Sequence, residues 1–162
     1  MNETWELFFD QKNKLLQKNK IGDNDLFVNP IDINDNNIPN GNSVFLNLCN
    51  KMNLITKENH WLDKTEILKK TFHSLINYNS TQMFSYIKVL DVYEDNITVT
   101  INSKNPNTVE KVKEQTIKKF MDKATIIYKE DNNEEYFIIC KKQTCSPKLK
   151  NLEEVKNYFN NL

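Results

Sequence analysis

The chain contains no arginine; all 22 of its basic residues are lysine. Arginine supplies the planar fork that grips phosphates and reads guanine edges, so its absence argues against sequence-specific nucleic-acid binding. Twenty-two acidic residues cancel the lysines to a formal net charge of zero, which removes the basic surface a nucleic-acid partner would need. The Asn, Lys and Ile bias is better explained by AT-rich coding DNA than by chemistry. No apolar run approaches membrane-spanning length. The opening "MNETWELFFDQKNK" has no basic region ahead of a long apolar core, so it does not read as a secretory signal. A cytoplasmic location with no membrane partner is the expectation. Three cysteines, Cys49, Cys140 and Cys145, are too few for a disulfide scaffold, and in a reducing compartment they are expected as thiols.

Glycine and proline are also scarce, two and four in 162 residues. One of each falls in the six residues "IPNGNS" at 38–43, just before an apolar run. Such a cluster predicts a turn feeding a helix N-terminus. The bland reading is that Ser43 or Asn42 caps the helix, Gly41 takes a positive φ and Pro39 sets the approach. The functional reading is a ligand-binding loop: Asp35 accepts hydrogen bonds, Asn42 donates and accepts, and the free N–H groups near Ser43 face an oxyanion. Asp32 and Asp35 are the only carboxylates at hand for a catalytic pair there.

Along the chain, "ETWELFFDQ" predicts a short helix around Trp5, Leu7 and Phe8. Residues 14–29 read as two short strands around Gly22, and 32–37 as a polar loop. The next helix places Val44, Leu48 and Met52 on one side, with Phe45, Leu46 and Cys49 beside them, a wide apolar arc. A second helix spans about 61–76, with Ile67, Leu68, Phe72, Leu75 and Ile76 as its stripe. Ser80 can cap a third, "TQMFSYIKVL". After Leu90 the period changes. "NITVTIN" alternates Ile97, Val99 and Ile101 against Thr98 and Thr100, a half-buried strand. "NPNTVEKVKEQTIKKFMDK" is a helix with Asn107 and Glu110 as a capping box and a solvated charged face. "ATIIYK" and "EEYFIIC" are strands flanking a polar turn, and 151–161 is a closing helix capped by Asn151 with Glu154. The predicted fold is α+β, with a helical part at 1–92 and a small βαββα unit at 93–162.

Asp35, Pro39, Gly41, Asn42 and Ser43, then an apolar helix, a βαβ unit, Cys140-x4-Cys145-x-Pro147 and a terminal helix with Leu152 and Glu153 form an ordered series. It resembles the C-terminal part of the thioredoxin-domain (DUF255) family, which includes the spermatogenesis-associated thioredoxin-like proteins. "LFFDQKNKLLQKN" is similar to the family's strand-bearing loop, except that Lys14-Leu15-Leu16 stands where the family has Gly-Gly-Phe. The resemblance implies that 1–92 is part of an (α/α)6 six-hairpin glycosidase-like toroid. It implies partners in the thioredoxin-like domain and the remaining hairpins, and a link to carbohydrate metabolism by fold analogy. This chain has no Cys-x-x-Cys and too few helices to close a toroid, so independent catalysis is not expected.

Cys140 and Cys145 are candidates for structural or redox thiols, or a loop disulfide. Zinc would need two further ligands. His60 and His73 lie in the helical part and read as boundary residues; no metal or cofactor is expected. Cys49 reads as a small core hydrophobe. Two alternative functions stay open: a stand-alone interaction module that self-associates or binds through exposed helix faces, and a KH-like nucleic-acid module. The missing arginine and the lack of a GXXG loop oppose the second.

Overall fold

The computed structural model describes residues 1–23, 28–129, 134–142 and 144–162. The second strand expected beyond Gly22, at 24–27, and the polar turn at 130–133 lie outside the described residues. The chain is α+β and divides into two compact units, Met1–Leu90 and Asp91–Leu162.

The first unit opens with α1 (Asn2–Phe8), which runs into a hairpin of β1 (Phe9–Asp10) and β2 (Leu15–Leu16). The sequence predicted strands around Gly22. Among the described residues, the pairing found lies earlier, around a tight turn that Asp10 organises. Its Oδ1 accepts from Lys12 N at 2.8 Å, and Lys14 N donates to Asp10 O at 2.8 Å. Lys14 closes that turn at φ +58°, a left-handed conformation that favours glycine. Gly22 does adopt a positive φ, +85°, but beyond the hairpin.

Then come α2 (Gly41–Thr56) and α3 (Asn59–Asn79), joined only by Lys57 and Glu58 into an αα-hairpin. Lys57 ends α2 in the left-handed region at φ +61°, its N–H donating to Asn53 O. A 3₁₀ turn at Ser80–Gln82 replaces the Ser80-capped helix start; α4 begins later, as Phe84–Glu94. The core joins Phe45, Leu46 and Cys49 of α2 to Leu68 and Phe72 of α3 and to Met83, Tyr86 and Val89. Phe72 and Tyr86 stack at 4.7 Å between ring centroids. Burial pushes the Tyr86 phenol up to about 12, and its hydroxyl donates to Lys69 O. Cys49 is fully buried and its thiol is pushed up to about 12, chiefly by desolvation.

α2 buries only part of the wide apolar arc its sequence predicts. Phe45, Leu46 and Cys49 go inside, accompanied by Asn42, Ser43 and Asn50. Val44 and Leu48 stay outside, 45% and 43% exposed, as does Ile55 at 48%.

The second unit holds β3 (Ile97–Asn102), α5 (Pro106–Phe120), β4 (Ala124–Lys129), β5 (Tyr136–Lys141), β6 (Thr144–Cys145) and α6 (Leu152–Asn160). The sheet order is β4-β3-β5-β6. The α5 crossover lets β4 pair parallel with β3, while β5 pairs with β3 antiparallel. Ile97, Val99 and Ile101 meet Val112 of α5, Val155 and Phe159 of α6, and Phe137 and Ile139 of β5. Flanked on both edges, β3 is buried beyond its apolar face; Thr98 is only 7% exposed.

Two helix starts contrast. For α5 the cap is Asn105, not Asn107: its Oδ1 accepts from Asn107 N at 3.0 Å and Thr108 N at 3.4 Å. Pro106 occupies the first helical position, where no N–H is needed. Glu110 pairs with Lys113 instead of reaching back. For α6 the expected pair does meet: Asn151 Oδ1 accepts from Glu154 N at 2.9 Å, and Glu154 accepts in return from Asn151 Nδ2 at 2.9 Å and from Lys150 N, one residue before the cap, at 2.8 Å. Asn105→Ala should therefore lower stability by about 1 kcal/mol, whereas Asn107→Ala should change little; urea midpoints of the two variants separate them.

Candidate functional site

The Asp35–Ser43 stretch is built around the start of α2. Asn40, which the sequence reading passed over, is the cap: it has extended backbone angles and its Oδ1 accepts from Ser43 N at 2.9 Å. Gly41 does not take a positive φ. It is the first helical residue, and a Cβ there would meet nothing within 4 Å. The signal for Asn40 was present, an Asn directly after Pro39 and three residues before Ser43. The more obvious cap residues one turn later obscured it.

Asp35 stands between two helix starts. Its Oδ1 accepts from both the backbone N and the side-chain Nδ2 of Asn40, each at 2.9 Å. Its Oδ2 accepts from Ser85 N, in the first turn of α4, at 2.5 Å. Its own N–H donates to Gln82 O at 2.6 Å. A carboxylate at helix N-termini sits where the aligned peptide dipoles are positive. Burial, the largest single influence, pushes the Asp35 carboxyl up, but the donors of Ser85 and Asn40 together outweigh it and hold the group below its ordinary value. Both oxygens are thus occupied by the fold. Ser85 was not legible as a partner, because it lies fifty residues away in sequence.

Asn42 is 3% exposed and works as a splice between α2 and the hairpin. Its Oδ1 accepts from Leu16 N at 2.7 Å. Its Nδ2 donates to Leu16 O at 2.9 Å and to Asp32 O at 3.0 Å. The amide imitates a neighbouring strand, pairing both backbone groups of Leu16 on the open side of β2. Ser43 is 1% exposed, and its Oγ has no hydrogen-bond partner among the described residues. The same holds for Asn47 Oδ1 and Asn50 Nδ2, which follow it along one edge of α2.

Beside this knot lies an open cleft of about 310 Å³. Gly41 and Asn42 line it together with Asp32, Lys18, Phe8 and Phe45; Asp35, Pro39 and Ser43 do not. Asp32 is ion-paired to Lys18 at 2.6 Å, so the two carboxylates of the loop serve separate partners. The arrangement can hold a loop on two helix starts. It supplies no pair of free carboxylates for acid–base work.

In the second unit, Cys140 and Cys145 are not thiols but a disulfide, across the β5–β6 pair where they face each other in register. The antiparallel turn brings their Cα atoms to 4.0 Å. Among the described residues, no three His, Cys, Asp or Glu side chains converge as a metal site. His60 lies 3.7 Å from Glu58 and in ring contact with Trp61. No helix among the described residues is long and apolar enough to cross a membrane.

No family model, no curated protein and no solved structure matches this chain.

Proposed function

We propose that the chain is the C-terminal section of a thioredoxin-domain, six-hairpin-toroid protein, and that it has no catalysis of its own. In this reading α2 and α3 form one hairpin of an (α/α)6 toroid whose other hairpins come from outside this chain. The observation that carries it is the face of α2 bearing Val44, Leu48 and Ile55, each more than two-fifths exposed on a helix whose opposite side joins the core. An apolar stripe of this kind on one helix fits a missing helical neighbour better than solvent. Lys14 adds support. It stands where the family has glycine, and it holds the left-handed backbone that glycine prefers. The full occupancy of Asp35 fits a loop that shapes a cavity wall rather than one that reacts. A carbohydrate-related role follows by fold analogy only, and a cytoplasmic site belongs to the same proposal.

The test is co-expression with the thioredoxin and toroid section of a family member. One-to-one co-purification is expected, and Val44→Glu with Leu48→Glu should abolish it. Both positions are exposed, so the doubly substituted chain should keep its stability to within about 1 kcal/mol. A stand-alone interaction module is the second reading, favoured by the same face. It would be chosen if the chain self-associates by light scattering, if the two substitutions make it monomeric, and if the toroid section is not bound. A monomer that binds nothing would sink both.

A further inference from the structure

The Cys140–Cys145 disulfide has no role in that proposal, and its setting suits chemistry of its own. We propose that it is a thiol–disulfide exchange site for small anionic thiols of the glutathione class, with Cys145 as the sulfur attacked first.

Access comes first. Cys145 is exposed on β6, the outermost strand of the sheet, while Cys140 on β5 is half-buried. Cys49, by contrast, is fully buried with its thiol pushed up to about 12, so it is no competitor. An incoming thiolate therefore reaches Cys145 more readily than its partner, and Cys140 is the natural leaving group.

Backbone pairing also holds the segment around the bond. Ser146 N donates to Ile139 O at 2.8 Å, and Ser146 Oγ accepts from Ile139 N at 3.1 Å. Phe137 and Leu149 exchange both backbone hydrogen bonds, at 2.8 and 2.9 Å. Leu149 and Val155 are then anchored in the core. The bond itself spans a sequence separation of only five, so it removes less loop entropy from the unfolded chain than a longer loop would. Opening it should leave the sheet and α6 in place. A staple on which the fold relied would close a longer loop or bridge elements that nothing else joins.

Charge selects the reactant. Residues 141–150, "KKQTCSPKLK", hold Lys141, Lys142, Lys148 and Lys150 and no acidic residue. Lys148 is paired with Glu134 at 2.9 Å, and Lys141 Nζ donates to Leu162 O at 3.2 Å. Clustered cations stabilise thiolates and draw in a thiol that carries carboxylates.

The exchange balances in two steps. A small thiolate attacks Sγ of Cys145, forming a mixed disulfide and expelling Cys140 as a thiolate. A second small thiolate attacks the small-thiol sulfur of that mixed disulfide. This releases the oxidised dimer of the small thiol and leaves Cys145 as a thiolate. Both cysteine thiolates take a proton from water; the protein gains the two electrons that the two small thiols lose.

The test uses the full chain. Reduction rates with glutathione and with neutral 2-mercaptoethanol are compared per thiolate, at low and high salt, with circular dichroism in parallel. Glutathione should lead by a factor on the order of threefold to tenfold at low salt. The lead should vanish at high salt, and the dichroism should not change on reduction. Treated instead with oxidised glutathione, Cys140→Ser should take up one glutathionyl group on Cys145 and release one reduced glutathione, as seen by peptide mass mapping. Equal rates for the two thiols would overturn the charge argument, and reduction only upon unfolding would overturn the site. The rate comparison needs no variant, and neither arm depends on the toroid proposal.

Discussion

Asn42→Ala is expected to destabilise the first unit by about 3 kcal/mol, because it strands buried backbone groups instead of merely deleting a contact. Three hydrogen bonds vanish together, two of them to Leu16, which is itself 8% exposed. Among the described residues, the bonds to Leu16 N and O on this side of a strand of two residues come from Asn42. Asn42→Asp is a sharper probe. It keeps the acceptor for Leu16 N but turns the donor for Leu16 O and Asp32 O into a repelling oxygen. Urea unfolding should rank wild type well above both variants. A loss under about 1 kcal/mol for Asn42→Ala would mean the side chain is held for a ligand and not for the fold.

Asp35 carries the second large effect, and it depends on pH. Asp35→Asn keeps the shape but places an amide donor among donors already aimed at the carboxylate, from Asn40 N, Asn40 Nδ2 and Ser85 N. A loss of about 2 kcal/mol at neutral pH is expected, in line with hydrogen bonds to a charged group. The sign follows from the lowered carboxyl pKa. A group held lower in the folded state contributes stability that is present above its unfolded value, about 3.9, and is lost as pH falls through the folded value. The gap between wild type and Asp35→Asn should thus be wide at pH 7 and narrow below about pH 4. Urea midpoints at pH 7 and pH 3 measure it. A gap that does not narrow would show that shape, not charge, is what Asp35 supplies.

Local patterns foretold the elements whose information is local. The change of period after Leu90 marked β3, α5, β4 and β5, and "NLEE" marked the start of α6, where Asn151 and Glu154 cap as expected. The burial of Cys49 was readable because its helix neighbours Phe45 and Leu46 are apolar. Other features were not readable because neighbouring residues offer competing local signals. Asn105 and Asn107 are both good caps by composition; Pro106 decided between them, since it suits the first helical position. The turn at Asp10, which the sequence did not suggest, forms because Lys12 N and Lys14 N find acceptors there.

The sequence by itself determined that this is an α+β chain, that the Pro39–Ser43 turn leads into a helix, and that Cys140 and Cys145 lie close enough in the chain to be bridged. Periodicity, capping preference and spacing each act within a few residues, so a single chain is enough to read them. Only the tertiary structure decided which side of α2 goes inside. Helical spacing admits both the Val44 face and the Asn42 face. The side with Asn42 is buried: it also carries Phe45, Leu46 and Cys49, and the hairpin backbone at Leu16 and the Asp32 carbonyl are there to bond Asn42. Tertiary structure alone also joined Asp35 to Ser85. A helix N-terminus needs an acceptor but does not specify where along the chain that acceptor must come from.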